Sequence, residues 1–180
     1  FENSFIWLKE AGVALPTFSV EEPVAPLVLS RSRNLFKLFQ SDVGLLASLY
    51  AEGIQTRILD NDPDINFGAI YENFVAQELQ AHGFGLYYFN SKKQGEVDFI
   101  VEKSGSAMPI EVKSGKSYQR HRALSNIMAD STYRIREALV LSGANVSTEG
   151  NTKYLPIYML MFLHREESID LLYKVDLPTL

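Results

Sequence analysis

Two stretches decide the fold: Glu96-Val97-Asp98-Phe99-Ile100-Val101-Glu102 and Met108-Pro109-Ile110-Glu111-Val112-Lys113. In the first, Val97, Phe99 and Val101 alternate with Asp98. In the second, Ile110 and Val112 alternate with Glu111 and Lys113. A period of two is the mark of a strand with one apolar face. An even-numbered loop between the strands puts Asp98, Glu111 and Lys113 on the same side of the sheet. A loop of Lys103 to Ser106 pairs Glu102 with Ala107 and sets Asp98 opposite Glu111. Sliding it to Ser104–Ala107 sets Asp98 opposite Lys113. Opposed side chains lie with Cβ atoms roughly 5 Å apart, and a slip of one residue would turn Asp98 to the wrong face.

Outward from this pair, the pattern predicts a helix over 67–81 from the stripe Phe67, Ile70, Tyr71, Phe74, Val75 and Leu79. It predicts a short strand at Leu86–Phe89, a helix over 117–129 and a buried strand at Ala138–Leu141. The last strand follows a helix, as a parallel crossover requires. The expected core is therefore α/β: helix, three strands, helix, strand. Upstream, Leu35–Gln40 reads as a strand, Ser41 or Asp42 caps a helix to about Tyr50, and 51–66 reads as loop. Residues 4–11 read as a short amphipathic helix. Residues 12–30 hold Gly12, Pro16, Pro23 and Pro26 around short apolar pieces. They read as a strand and a connector, placing 1–30 as the tail of a preceding domain and 31–180 as the main domain.

The 180 residues carry 17 Lys and Arg against 22 Asp and Glu, a formal charge of −5. That excludes coating of nucleic acid by bulk electrostatics, though not a local basic patch. Cysteine is absent, which excludes disulfides and cysteine-based zinc sites and fits a cytoplasmic setting. No run reaches the ~18 apolar residues of a membrane span. The chain begins with Phe rather than Met and is read as a piece of a longer protein.

Two neighbouring carboxylates repel unless a cation sits between them. Mg²⁺ or Mn²⁺ held by Asp98 and Glu111, with Lys113 orienting a water or stabilising a phosphate, is equipment for phosphodiester hydrolysis. The spacing alone is weak evidence. With nine lysines and 22 acids in 180 residues, chance supplies about one acid-x-lysine triplet, and one is present. The bland alternative is a solvated strand face of exposed ion pairs.

Tyr71-Glu72-Asn73-Phe74-Val75, Glu96-Val97-Asp98-Phe99 and Ile110-Glu111-Val112-Lys113-Ser114 follow one another in an order that resembles the PD-(D/E)XK nuclease superfamily. The succession looks like the C-terminal domain that follows an AAA-type ATPase domain in many bacterial and archaeal proteins. Phe36-Lys37-Leu38-Phe39 and Asp42-Val43-Gly44-Leu45-Leu46 match that domain as well. The resemblance implies a restriction-endonuclease-like fold with a mixed central sheet flanked by helices. It also implies a metal site at Glu72, Asp98, Glu111 and Lys113, a DNA substrate, and ATP used only in an upstream domain of the same polypeptide. Val97 stands where the superfamily name has proline. The helix stripe centres nearer Glu78 than Glu72; the motif match favours Glu72. Lys92, Lys93, Lys116 and Arg120 are candidate phosphate contacts. The same domain can also serve as a catalytically silent module that docks nucleic acid or a partner and regulates the ATPase.

Three other signals fail. Ser114-Gly115-Lys116-Ser117 lacks the first glycine of a P-loop, Ile110 standing there. Asp60, Asp62 and Asp64 mimic half a calcium loop, but Ile65 and Tyr71 occupy the positions of its glycine and glutamate. His82, His121 and His164 show no zinc spacing.

Overall fold

The computed structural model describes residues 2–62 and 64–165. Residues 166–180 of the expected domain lie outside the described residues. The helices are α1 (Glu2–Glu10), α2 (Val43–Ser48), α3 (Ile54–Leu59), α4 (Gly68–Ala81) and α5 (Arg122–Ala129). The strands are β1 (Ala14–Val20), β2 (Arg31–Gln40), β3 (Tyr87–Ser91), β4 (Gly95–Lys103), β5 (Ser106–Val112), β6 (Ala138–Ser142), β7 (Ser147–Glu149) and β8 (Thr152–Pro156). They form one mixed sheet in the order β2-β1-β3-β4-β5-β6-β8-β7. β1 runs parallel to β3, and β5, β6 and β8 run parallel to one another. Among the described residues, no helix is long and apolar enough to cross a membrane.

The central hairpin is closed by Ser104 at φ 50° and Gly105 at φ 69°. Positive φ at both central residues is the two-residue turn whose twist matches a hairpin. It fixes Lys103 opposite Ser106, Glu102 opposite Ala107 and Phe99 opposite Ile110. The turn is shorter than the four-residue loop of the sequence pattern, but even in number, so the register is unchanged.

The sheet buries both faces. Phe99, Val101, Met108, Ile110 and Val112 pack with Val75, Ala76 and Leu79 of α4. Val97, Ile100, Ala107 and Val140 pack with Leu124 and Ile127 of α5. Val97 was expected on the face of Phe99 and Val101, and it lies on the other. Along β3, Tyr87 and Phe89 are two residues apart, while their partners Ile100 and Val97 are three apart. β4 therefore carries one extra residue at 98–99, a bulge that breaks strict alternation where Asp98 sits.

Sheet strands run across the boundary placed at residue 30. β1 lies between β2 and β3, Ala14 and Val20 are buried, and Leu27 is enclosed in the core. Pro16 is tolerated inside β1 because pairing with β3 begins only at Phe18. Residues 117–120 form a turn rather than the start of α5, and 51–66 contains α3.

Asn73 of α4 is buried at 1% exposure. Its Oδ1 accepts from the Gln40 N–H at 2.8 Å, and its Nδ2 donates to the Gln40 carbonyl at 3.0 Å. Nearby, Gln77 Oε1 accepts from the Val43 N–H at 3.0 Å. These amides tie the end of β2 to α4, and so tie Lys37 to the helix that carries Glu72. Asn73→Ala leaves both backbone groups without this partner, at a cost of about 2 kcal/mol. Urea denaturation at pH 7 checks this; a loss below about 0.5 kcal/mol contradicts the clamp.

Candidate active site

The bulge in β4 and the register of the hairpin bring Asp98 to Glu111 of β5, one step beyond the last paired position, Phe99 with Ile110. The Val112 N–H donates to Asp98 Oδ2 at 2.7 Å. Lys113 follows β5 and its Nζ donates to Glu111 Oε1 at 2.6 Å. Glu111 is 5% exposed. Its Oε2 is enclosed and has no protein hydrogen-bond partner among the described residues. Glu72 of α4 is half-buried and feels the charges of Asp98, Lys37, Glu96 and Lys113. Glu78 is half-buried on the same helix. The structure thus brings Glu72, Asp98, Glu111 and Lys113 into one electrostatic cluster.

Lys37 and Glu96 also belong to it. Lys37 projects from β2 and is hydrogen-bonded to Glu96 Oε1. Its ammonium lies 5.0 Å from the centroid of the Tyr88 ring. Asn90 Nδ2 holds the other oxygen of Glu96 at 2.8 Å. The sequence pattern assigns Lys37 no role. The available signal was a single lysine inside the apolar run Leu35-Phe36-Lys37-Leu38-Phe39.

Lys92, Lys93 and Arg120 are exposed. Lys92 and Lys93 occupy the β3–β4 turn, and the Lys93 charge reaches Asp130 beyond α5. Arg120 lies in the turn before α5. Lys116 lines a cleft next to Lys113.

Burial, then the charge of Asp98, pushes the Glu111 carboxyl up to about 7, against the hydrogen bond from Lys113. Burial raises Asp98, against the Val112 N–H and the charges of Lys37 and Lys113. Burial and Asp98 raise Glu72. Burial pulls the Lys37 ammonium down, but the Glu96 hydrogen bond and the charges of Glu96, Glu72 and Asp98 outweigh it, and its pKa is raised. Four acids against two lysines leave a formal excess of two negative charges when all are ionised, the charge of one divalent cation.

Whether the residues present suit such a cation turns on their donors. Among the described residues, no group of three or more His, Cys, Asp or Glu forms a ready metal cage. Mg²⁺ needs fewer, since it takes one or two carboxylates and completes its shell with water and phosphate. The enclosed, unpartnered Glu111 Oε2 beside Asp98 is the fitting donor set.

Residues 67–160 match a family described as "Domain of unknown function (DUF4143)". The chain belongs to the DUF4143 family. Domains of this family are typically found C-terminal to AAA ATPase domains. The match opens one residue before α4 and closes after β8, so it contains Glu72, Asp98, Glu111 and Lys113 but not Lys37. The DUF4143 chain is also 32% identical over 103 residues to uncharacterized proteins of Mycobacterium bovis and Mycobacterium tuberculosis. That stretch is 56% of this chain and 22% of each relative, so the chain spans less than a quarter of those proteins. No solved structure matches.

The raised Glu111 carboxyl has a consequence for stability. The unfolded chain releases this proton near the ordinary 4.5 and the folded chain near 7. Between those values the native state holds more protons, so stability falls as pH rises. At roughly 1.4 kcal/mol per unit, discounted for coupling to Asp98, the loss is on the order of 2 kcal/mol. Glu111→Gln keeps an acceptor for Lys113 and removes the titration. Its urea midpoint should fall less than that of wild type from pH 5 to 8, the raised Asp98 and Glu72 keeping part of the slope, and exceed wild type at pH 8. A wild-type midpoint that rises over this range contradicts the raised carboxyl.

Proposed function

We propose that this DUF4143 domain is a metal-dependent nuclease of the PD-(D/E)XK type, with a restriction-endonuclease-like core that hydrolyses phosphodiester bonds in DNA. It works beside an AAA-type ATPase domain upstream in the same polypeptide, in the cytoplasm. The observation that supports this reading is the buried Glu111 carboxylate next to Asp98, with one oxygen on Lys113 and the other without a hydrogen-bond partner among the described residues.

Asp98 and Glu111 would hold Mg²⁺ or Mn²⁺. Such an ion, when bound, supplies positive charge to the scissile phosphate and lowers the pKa of water. The remaining roles fall to the chain. The Val112 N–H fixes the Asp98 carboxylate so that its second oxygen can turn to the ion. Lys113, freed from Glu111, is placed to orient the attacking water or to neutralise charge developing on the phosphate. Lys37, freed from Glu96, is the second cation for a substrate phosphate. Glu72 sits beside Asp98 as the acid that supports ion or water.

A second reading has its own observation. Both site lysines are engaged by acids, Lys113 by Glu111 and Lys37 by Glu96, and a chain of charge −5 attracts DNA weakly overall. A silent module that docks nucleic acid or a partner and regulates the ATPase fits those features.

Incubation with supercoiled and single-stranded circular DNA in Mn²⁺ separates the two. The nuclease reading expects cleavage, with Asp98→Asn and Lys113→Met each at least about 100-fold slower while their circular dichroism is unchanged. Folded wild-type protein that leaves both substrates intact, with or without the ATPase domain attached, favours the silent module.

A further inference from the structure

A cleft of about 670 Å³ is lined by residues that adjoin, in the chain, two of the elements bearing the acid cluster. Ser114, the residue after Lys113, lines it, as does Phe67, the residue before α4. The cleft therefore shares its walls with the elements that carry Lys113 and Glu72. Its chemistry differs from theirs. Phe67 and Tyr118 are its aromatic residues, Asn66 and Ser114 polar ones, and Lys116 its charged one; among the described residues, none that lines it is acidic. Each ring is set by an edge-on neighbour: Phe67 by Tyr71 at 6.2 Å and 61°, Tyr118 by Tyr154 at 5.8 Å and 74°. Lys116 is exposed and makes no ion pair among the described residues. Among the described residues the one charged residue lining the cleft is a cation, which favours an anionic ligand there although Asp62 and Asp64 lie in the same loop as Asn61 and Ile65. Its volume lies within the 300–1,000 Å³ or so of small-ligand sites.

Aromatic rings that bear no sequence code, a lone cation and a phosphodiester site next door are the parts of a seat for an unpaired nucleotide. We infer that the Phe67–Tyr118 cleft binds an unpaired nucleobase of a DNA strand, with Lys116 on its phosphate, so that the domain engages single-stranded or frayed DNA in preference to intact duplex. The base is taken up by stacking, while Lys116 holds the strand as it passes toward Lys113. The nucleotide assignment rests on reading the neighbouring acids as a phosphodiester site.

The wall residues permit a blocking variant. A Cβ added at Gly143 meets nothing within 4 Å, and its backbone lies outside the positive-φ region. Gly143→Phe therefore adds a bulky side chain at the cleft wall without a steric clash at Cβ, whereas Tyr118→Ala removes a ring that also packs on Tyr154.

The test is fluorescence anisotropy of a labelled 12-nucleotide dT strand, in EDTA so that no cleavage occurs. Its arms are the blunt duplex of that strand and a strand with abasic sites. Expected is binding of the dT strand about tenfold tighter than either arm, and about tenfold weaker binding by Gly143→Phe and Tyr118→Ala. No binding of the dT strand, equal binding of the abasic strand, or unchanged affinity in Gly143→Phe overturns the proposal. Cleavage of supercoiled DNA in Mn²⁺ is read in parallel. Cleavage without base-dependent binding sinks the cleft alone. Base-dependent binding without any cleavage sinks the nuclease reading alone.

Discussion

The two-residue turn at Ser104 and Gly105 is the constraint on which the site depends. It sits in the middle of the sheet, between β4 and β5. One residue more or fewer would slide β5 and turn Glu111 away from Asp98. With the register fixed, Ile110 and Val112 pack under α4, and Glu111 is carried into the interior by its neighbours. The bulge at 98–99 makes the matching adjustment on β4. Packing on both sides of the sheet thus forces two acids together at the place where the strand pairing ends.

Holding carboxylates in such a place costs stability, because burial and like charge both disfavour ionisation. The surrounding elements offset part of that cost. β5 supplies the Val112 N–H, Lys113 binds Glu111, and β2 brings Lys37 to Glu96. The Asn73 amide makes the Lys37 contribution dependable by fixing the end of β2 to α4. The offset is incomplete: one Glu111 oxygen is left without a hydrogen-bond partner among the described residues, and its carboxyl remains raised. Thr17 Oγ1, His82 Nδ1 and Gln94 Oε1 are likewise buried without a hydrogen-bond partner among the described residues, but Glu111 is the carboxylate of that group.

The alternation of 96–102 and 108–113 made the central hairpin legible, because one residue type per face leaves a period that sequence retains. The stripe in α4 was legible for the same reason. The bulge was not, since Val97, Phe99, Ile100 and Val101 are all apolar and either phase fits them. The strand within 12–30 and the one at Leu35–Gln40 were legible as strands, but their joining the central sheet was not, since the pairing of β1 with β3 is a contact distant in the chain. Lys37 lay beyond sequence reasoning because its partners are set by the pairing of β1 with β2 and β3, contacts distant in the chain. The Phe67–Tyr118 cleft combines residues from three separate segments, 61–67, 114–118 and 143–144, and left no local signature.

The central claim is that Asp98 and Glu111 form one site whose excess negative charge a divalent cation relieves. The melting temperature at pH 7.5, measured with and without Mn²⁺, tests it without requiring turnover. At about ten times the dissociation constant, binding to the folded chain should raise it by about 3 to 6 °C. Asp98→Asn should melt higher than wild type without metal and gain little from it. A wild-type melting temperature unmoved by millimolar Mn²⁺, together with an Asp98→Asn variant no more stable than wild type, would contradict the account.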